Sequence, residues 1–201
     1  MKALQALPDG YKQIFEVNLQ KNKRIAIFLN VATIVVAAIM VVPAAVFVPI
    51  STFFDFSKGF GMYWIKAGVI LLGMLAYIVL HELVHGITMR IFGAKKIKYG
   101  VTLTYAYAGC DDYFDKKSYI IIALAPVVFW GIVLAIINFL VPIEWFWIVY
   151  IIQIFNISGA AGDAYVTAKF CRMPKDILVR DTGFEMTVFS SVSVLGNENE
   201  V

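Results

Sequence analysis

Hydrophobic residues occur in four long runs separated by short polar segments, and this pattern predicts four membrane-spanning helices. The runs cover residues 25–50, 62–89, 118–141 and 145–168. Each run exceeds the roughly 20 apolar residues that a helix needs to cross the hydrocarbon core of a bilayer. The only charged side chains inside them are Lys66, Glu82 and Asp163. The sequence therefore predicts an all-α membrane protein with a four-helix transmembrane domain over residues 25–168.

One region outside these runs has a different period. From Ile97 to Tyr107, large apolar and aromatic residues alternate with small or polar ones. A period of two is typical of an extended chain, so we expect a strand or a small β-hairpin at about residues 97–110. It would lie on the cytoplasmic side, between the second and third helices.

The two flanking segments are more polar than the membrane domain. Residues 1–24 form a predicted cytoplasmic arm, which either lies on the membrane surface through Ile14 and Phe15 or is a partly ordered polar tail. Residues 169–201 form a predicted cytoplasmic tail. Within that tail the alternation of Phe184, Met186 and Val188 is compatible with one further strand.

Composition agrees with a membrane location. Hydrophobic residues make up 61% of the 201 residues, charged residues only 15%, and the mean hydropathy is +0.79. These values lie far outside the range of soluble domains, so the lipid bilayer is the predicted environment. No nucleic-acid-binding module is visible, and the basic residues are better explained as topology signals.

The distribution of positive charge predicts the orientation. With the N-terminus inside, all of the 17 lysine and arginine residues except Lys58 and Lys66 fall in cytoplasmic segments. Trp64, Trp145 and Trp147 then lie at the outer boundary, where aromatic belts form. We therefore expect a multi-pass protein of the cell membrane with both termini in the cytoplasm.

The candidate chemistry is concentrated in His81-Glu82-Leu83-Val84-His85, which contains both histidines of the chain. Residues four apart on a helix lie on one face, so both imidazoles can bind the same metal ion. A zinc ion held by two imidazoles and one further protein ligand keeps a position for water, and a neighbouring glutamate can accept the proton of that water. The motif predicts a Zn²⁺ site with Glu82 as general base.

Asp163 is the predicted third ligand. In the predicted topology it and His85 both lie about 8 Å inside the cytoplasmic boundary, at 1.5 Å rise per residue. A carboxylate in the membrane interior needs a partner, and a metal ion meets that need. The alternative is that Asp163 pairs with a nearby lysine or faces a water-filled vestibule. Cys110 ranks below Asp163 as a zinc ligand.

The combination of the His81–His85 motif with Asn156 and Asp163 in a later helix resembles the site-2 protease family of intramembrane metalloproteases and its compact bacterial zincin-type relatives. The resemblance covers residues 62–168, with Gly159 and Ala164 where that family usually has proline and glycine. It implies His81, His85 and Asp163 as zinc ligands, Glu82 as general base and Asn156 as a hydrogen-bond donor to the substrate or oxyanion.

The predicted function is therefore that of a zinc-dependent intramembrane endopeptidase that hydrolyses membrane-associated protein or peptide substrates. Two alternatives remain open: a catalytically silent membrane chaperone or regulator that keeps the metal site, and a metal-handling membrane protein. The strand at residues 97–110 either offers its edge to an extended substrate or closes the cytoplasmic side of the bundle.

Overall fold

The computed structural model describes residues 2–17, 23–54, 59–102 and 105–191. Lys58, which is predicted at the outer side, lies outside the described residues. Within them the chain is mostly helical. The helices, numbered in chain order, are α1 Lys23–Phe47, α2 Phe60–Ile91, α3 Lys116–Leu140, α4 Phe146–Gly159 and α5 Ala161–Cys171. Short 3₁₀ turns precede α2 and α4, at Ile50–Thr52 and Ile143–Trp145.

Four helical segments among the described residues are long and apolar enough to cross a membrane. They are α1, α2, α3 and the segment Ile143–Cys171, which contains α4 and α5. Large apolar side chains point away from the bundle along them; Phe28 is 61% exposed, Leu72 67% and Phe139 88%. Such extended apolar surfaces are rare on soluble proteins and common where a protein meets lipid.

The fourth segment is not the single continuous helix that the sequence predicts. It breaks at Ala160, between α4 and α5, where the backbone leaves helical geometry (φ −77°, ψ 16°). A break leaves backbone carbonyl groups without intrahelical partners. The hydroxyl of Thr33 in α1 donates to one of these carbonyls, that of Ser158, at 3.0 Å. Gly159 and Gly162 flank the break and weaken the helix locally.

Helix α2 carries the His81–His85 motif, and its packing determines which helices lie beside that motif. Helix α2 packs against α3 and α4, whereas α1 packs against α4 and α5. Helix α3 also contacts α5, so α3 lies beside both α2 and α5. Side chains from these three helices can therefore meet.

The strands form two antiparallel sheets near one end of the bundle. Strands β2 Lys98–Val101 and β3 Ala106–Gly109 pair as a hairpin between α2 and α3. The larger sheet has four strands in the order β1-β6-β5-β4. Its members are β1 Lys12–Val17, β4 Tyr113–Asp115, β5 Leu178–Asp181 and β6 Met186–Ser190.

This larger sheet is a correction to the predicted all-α fold with one hairpin. Strand β1 lies in the N-terminal arm and pairs with β6, so neither predicted alternative for the arm describes it. Strand β6 includes Met186 and Val188, whose alternation predicts a strand. The sheet packs on the helix ends through a buried cluster that includes Met89, Phe114, Phe170 and Val179.

Candidate metal centre

Helix α2 places both histidines on one face, as the spacing of the motif predicts. The ring centroids of His81 and His85 are 4.8 Å apart, and their side chains are only 13% and 12% exposed. The next helical turn continues the same face with Met89, which is buried in the cluster under the sheet. The two imidazoles therefore lie together on the protein-facing side of α2.

Asp163 reaches this pair from the first turn of α5. One carboxylate oxygen, Oδ2, lies 3.5 Å from Nε2 of His81, and the other, Oδ1, lies 3.7 Å from Nε2 of His85. The break at Ala160 starts a new helix two residues before Asp163, and a carboxylate is favoured near a helix N-terminus. Asp163 and His85, which the depth argument predicts to meet, are therefore adjacent in the structure, and His81 lies beside them.

The donor set and its spacing fit a zinc ion. Zinc binds imidazole nitrogen and carboxylate oxygen at about 2.0–2.2 Å, so that ligand atoms of a tetrahedral site lie roughly 3.3–3.5 Å apart. The separations of 3.5 and 3.7 Å between Asp163 and the two imidazoles are close to that value. His81, His85 and Asp163 would hold the ion.

Glu82 supplies a second carboxylate beside the same imidazoles. One oxygen of Glu82 and one nitrogen of each histidine lie within 4.8 Å of one another. The backbone of Ala108 in β3 lies near this carboxylate, and both residues line the same cavity. The hairpin is thus adjacent to the carboxylate that the motif predicts as general base.

The Nδ1 atoms of both imidazoles have hydrogen-bonding partners inside the protein. Nδ1 of His85 lies 2.9 Å from the backbone oxygen of Ile122, and Nδ1 of His81 lies 2.7 Å from the hydroxyl of Tyr77. A carbonyl oxygen only accepts, so Nδ1 of His85 carries the proton and its Nε2 keeps a lone pair for a metal. Metal-binding histidines commonly have such a partner on their other nitrogen.

Proline explains why the carbonyl of Ile122 is available. In an α-helix this oxygen would accept from the backbone nitrogen of residue 126, four positions later. Residue 126 in α3 is Pro126, which has no N–H to donate. The sequence predicts a bend at this proline. The structure adds that the proline frees a hydrogen-bond acceptor for His85.

Asn156 lies in α4 and is fully buried, at 0% exposure. Its Oδ1 accepts from the hydroxyl of Tyr77 at 2.8 Å, and its Nδ2 donates to the backbone oxygen of Val127 at 3.3 Å. It is therefore connected to the metal centre through Tyr77. Its predicted donation to a substrate stays a prediction.

Asp181, at the end of β5, is a site residue that no sequence motif indicates. Its carboxylate accepts from the hydroxyl of Tyr119 in α3 and, at 2.8 Å, from the backbone nitrogen of Gly183. Burial raises the pKa of Asp181, and the hydrogen bonds from Tyr119 and Gly183 oppose that rise only in part. A carboxyl group whose pKa is raised by its surroundings therefore lies near the metal centre.

These groups line one cavity of about 390 Å³. Its polar lining includes Glu82, His85, Asp163 and Asp181, and its opposite wall is formed by β3 and the turn between β5 and β6. Tyr107 and Phe184 pack together at this wall with ring centroids 4.4 Å apart and ring planes tilted by 52°. The cavity is large enough for several side-chain-sized groups of a ligand, next to the proposed base and ligands.

Four apolar helical segments and a half-buried cluster of two histidines with two carboxylates define a helical protein with a candidate metal centre. The chain belongs to the family described as "Putative zincin peptidase", whose model matches residues 74–178, slightly more than half of its length. The match covers the His81–His85 motif, Asn156 and Asp163. Membership indicates a zinc metallopeptidase.

One curated relative has no assigned activity. It is the "Uncharacterized 24.7 kDa protein in gap 5'region" of Pyrococcus woesei, which is 31% identical over 124 residues. The similarity covers 57% of this chain and 51% of that protein, so the matching region spans about half the length of the relative. No solved structure gives a significant match.

Proposed function

We propose that the protein is a zinc-dependent intramembrane endopeptidase of the site-2 protease type. The observation that carries the proposal is the position of Asp163, whose two oxygens face Nε2 of His81 and Nε2 of His85 while Glu82 lies beside them. Membership of a zincin-type family agrees with this donor set. His81, His85 and Asp163 are the proposed ligands, and Glu82 is the proposed catalytic base.

A bound zinc ion supplies Lewis acidity, which lowers the pKa of water and polarises a peptide carbonyl. Glu82 accepts the proton of the attacking water and afterwards delivers it to the nitrogen of the leaving amine. The backbone of Ala108 lies beside this carboxylate in the same cavity. Tyr119 and Asp181 line the same cavity, where they can contact a polar group of the substrate.

The edge of β3 is the proposed substrate-binding element. Ala106 and Ala108 line the cavity, and one edge of β3 is already paired with β2. An extended peptide added along the other edge would run past Glu82, because the Ala108 backbone contacts that carboxylate. The proposed substrates are membrane-associated proteins or peptides that become extended at the scissile bond.

A comparison of membrane proteomes tests this function. Cells that produce the wild-type protein should lack one or more membrane proteins, or contain shortened forms of them, whereas cells that produce Glu82→Gln should retain the full-length forms. Co-purification of the same proteins with Glu82→Gln would identify them as trapped substrates. Identical proteomes together with normal cellular function of Glu82→Gln would instead indicate a silent binding protein.

We further propose that the protein is a multi-pass protein of the cell membrane with both termini in the cytoplasm. Cys171 is the last residue of the fourth segment and is exposed, whereas Cys110 is buried and burial raises the pKa of its thiol to about 11. A membrane-impermeant maleimide should therefore label Cys171, and only after the membrane is opened. Loss of the label in Cys171→Ser is the control. Labelling of Cys171 in intact cells would contradict the orientation.

A further inference from the structure

A buried chain of hydrogen bonds joins Asn156 in α4 to His81 in α2. It consists of the contact between Asn156 Oδ1 and the Tyr77 hydroxyl at 2.8 Å and the contact between that hydroxyl and Nδ1 of His81 at 2.7 Å. Asn156 is 0% exposed and Tyr77 only 7%. Water therefore does not compete for the hydrogen bonds of Asn156 and Tyr77.

The orientation of the Asn156 amide is determined by groups that can only accept. Its Nδ2 contacts the backbone oxygen of Val127 at 3.3 Å and Oε1 of Gln153 at 3.4 Å. Gln153 is itself oriented, because its Nε2 donates to the backbone oxygen of Gly131 at 3.1 Å. A flipped amide would place oxygen against the oxygens of Val127 and Gln153. Oδ1 of Asn156 must therefore face Tyr77.

This orientation determines the direction of every bond in the chain. Tyr77 has one hydroxyl proton and donates it to Oδ1 of Asn156, which is an acceptor. The oxygen of Tyr77 then acts as acceptor toward His81, so the imidazole proton is on Nδ1. Nε2 of His81 is left with its lone pair facing Asp163, at 3.5 Å.

We infer that Tyr77 and Asn156 are positioning residues that hold His81 in the tautomer with the proton on Nδ1, which leaves Nε2 ready to bind the metal. The inference rests on the proposed function in that it assigns the zinc ligands as above. It gives Asn156 a role inside the protein in place of donation to a substrate, since both amide hydrogens have partners within the bundle.

A separate hydrogen bond holds His85 in the same tautomer. Its Nδ1 donates to the carbonyl of Ile122, which Pro126 leaves without a helical partner. The two imidazoles thus present Nε2 to the same carboxylate through two unrelated sets of contacts. Disturbing Tyr77 or Asn156 should alter His81 and leave His85 unchanged.

Zinc affinity is the first test, measured by competition with chelators on metal-depleted protein in detergent. Tyr77→Phe removes only the hydroxyl, and Asn156→Leu removes the group that takes the Tyr77 proton. Each should weaken zinc binding by about 10–100-fold, as loss of an outer partner of a metal-binding histidine does. Tyr150→Phe is the matched control, because its hydroxyl bonds the backbone oxygen of Met40 in the same bundle. Unchanged affinity in Tyr77→Phe would overturn the inference.

The double variant separates positioning from a general loss of structure. In Asn156→Leu the hydroxyl proton of Tyr77 has lost its acceptor and can be donated to Nδ1 of His81. This favours the tautomer of His81 with the proton on Nε2, which cannot bind the metal through that atom. Removing that hydroxyl as well should relieve the effect, so Tyr77→Phe/Asn156→Leu should bind zinc no more weakly than Asn156→Leu alone. Additive losses would show that the two residues act only through packing, and would overturn the inference.

The tautomer itself can be observed, because His81 and His85 are the only histidines in the chain. Nitrogen NMR of zinc-free protein with ¹⁵N-labelled histidine, prepared without a histidine tag, should show both rings protonated on Nδ1. In Asn156→Leu the ring of His81 should change and that of His85 should not. A wild-type His81 protonated on Nε2 would overturn the inference. The expected tautomer in a protein that binds no zinc would instead refute the proposed function alone.

Discussion

Replacing Glu82 with glutamine is expected to reduce peptide hydrolysis by about 10²–10⁴-fold while the zinc content stays at that of the wild type. Glutamine has the shape of glutamate but cannot accept a proton from water. Because the two side chains have the same size, the local structure should be kept. The rate is measured on a trapped substrate in reconstituted membranes, and the metal by elemental analysis.

The control for this variant is Glu16→Gln, which removes an exposed carboxylate on β1. It should cleave at the rate of the wild type. A Glu82→Gln protein that also cleaves at the rate of the wild type would contradict the assignment of the base. Loss of cleavage together with loss of zinc would show that Glu82 is itself a ligand, which its distance of less than 4.8 Å from both imidazoles permits.

Replacing Asp163 with alanine is expected to remove most of the bound zinc from a protein that otherwise contains about one ion per chain. The loss should exceed the roughly 10–100-fold decrease in affinity that follows loss of an outer partner, because Asp163 is proposed to contact the ion directly. It should also exceed the loss in Tyr77→Phe. Zinc content and affinity are measured on protein whose helicity is unchanged.

Asp112→Ala is the matched control for Asp163→Ala. Asp112 lies in the turn between β3 and β4, away from the histidines. Its carboxylate accepts a hydrogen bond from the backbone nitrogen of Lys95. This variant should keep its full zinc content. Full zinc content in Asp163→Ala would contradict the ligand assignment and would leave Glu82 as the nearest carboxylate to the two imidazoles.

The sequence predicts those parts of the fold that depend on single strong signals. Four long apolar runs with few charged residues predict four helices, and all four are confirmed as helical segments, the last with a break at Ala160. The spacing of His81 and His85 predicts a shared face on α2. Equal depth in the predicted topology brings Asp163 to the same place, and the structure indeed has it next to both histidines.

The parts that the sequence does not predict depend on contacts between distant segments. The four-stranded sheet is built from strands of three to six residues, and of these only β6 shows an alternation that predicts a strand. Its outer strand β1 comes from the N-terminal arm and pairs with β6 near the other end of the chain. Asp181 enters the site through this sheet, so no local pattern marks it.

Two residues have roles that a local sequence pattern cannot predict. Pro126 predicts a bend in α3, but its effect on His85 requires the packing of α2 against α3. Asn156 aligns with a family motif, but the direction of its amide depends on Val127 and Gln153. In both cases the residue acts through a hydrogen bond whose partner is on a different helix.

X-ray absorption spectroscopy at the zinc edge of the purified wild-type protein tests the central claim most directly, because it reports the ligand atoms. The proposed site predicts two imidazole nitrogens at about 2.0–2.1 Å, with carboxylate and water oxygens completing the first shell at about 2.0–2.2 Å. The imidazole contribution should disappear in part when His85 is replaced by alanine. A sulfur atom at about 2.3 Å, or a shell without imidazole, would contradict the proposed centre.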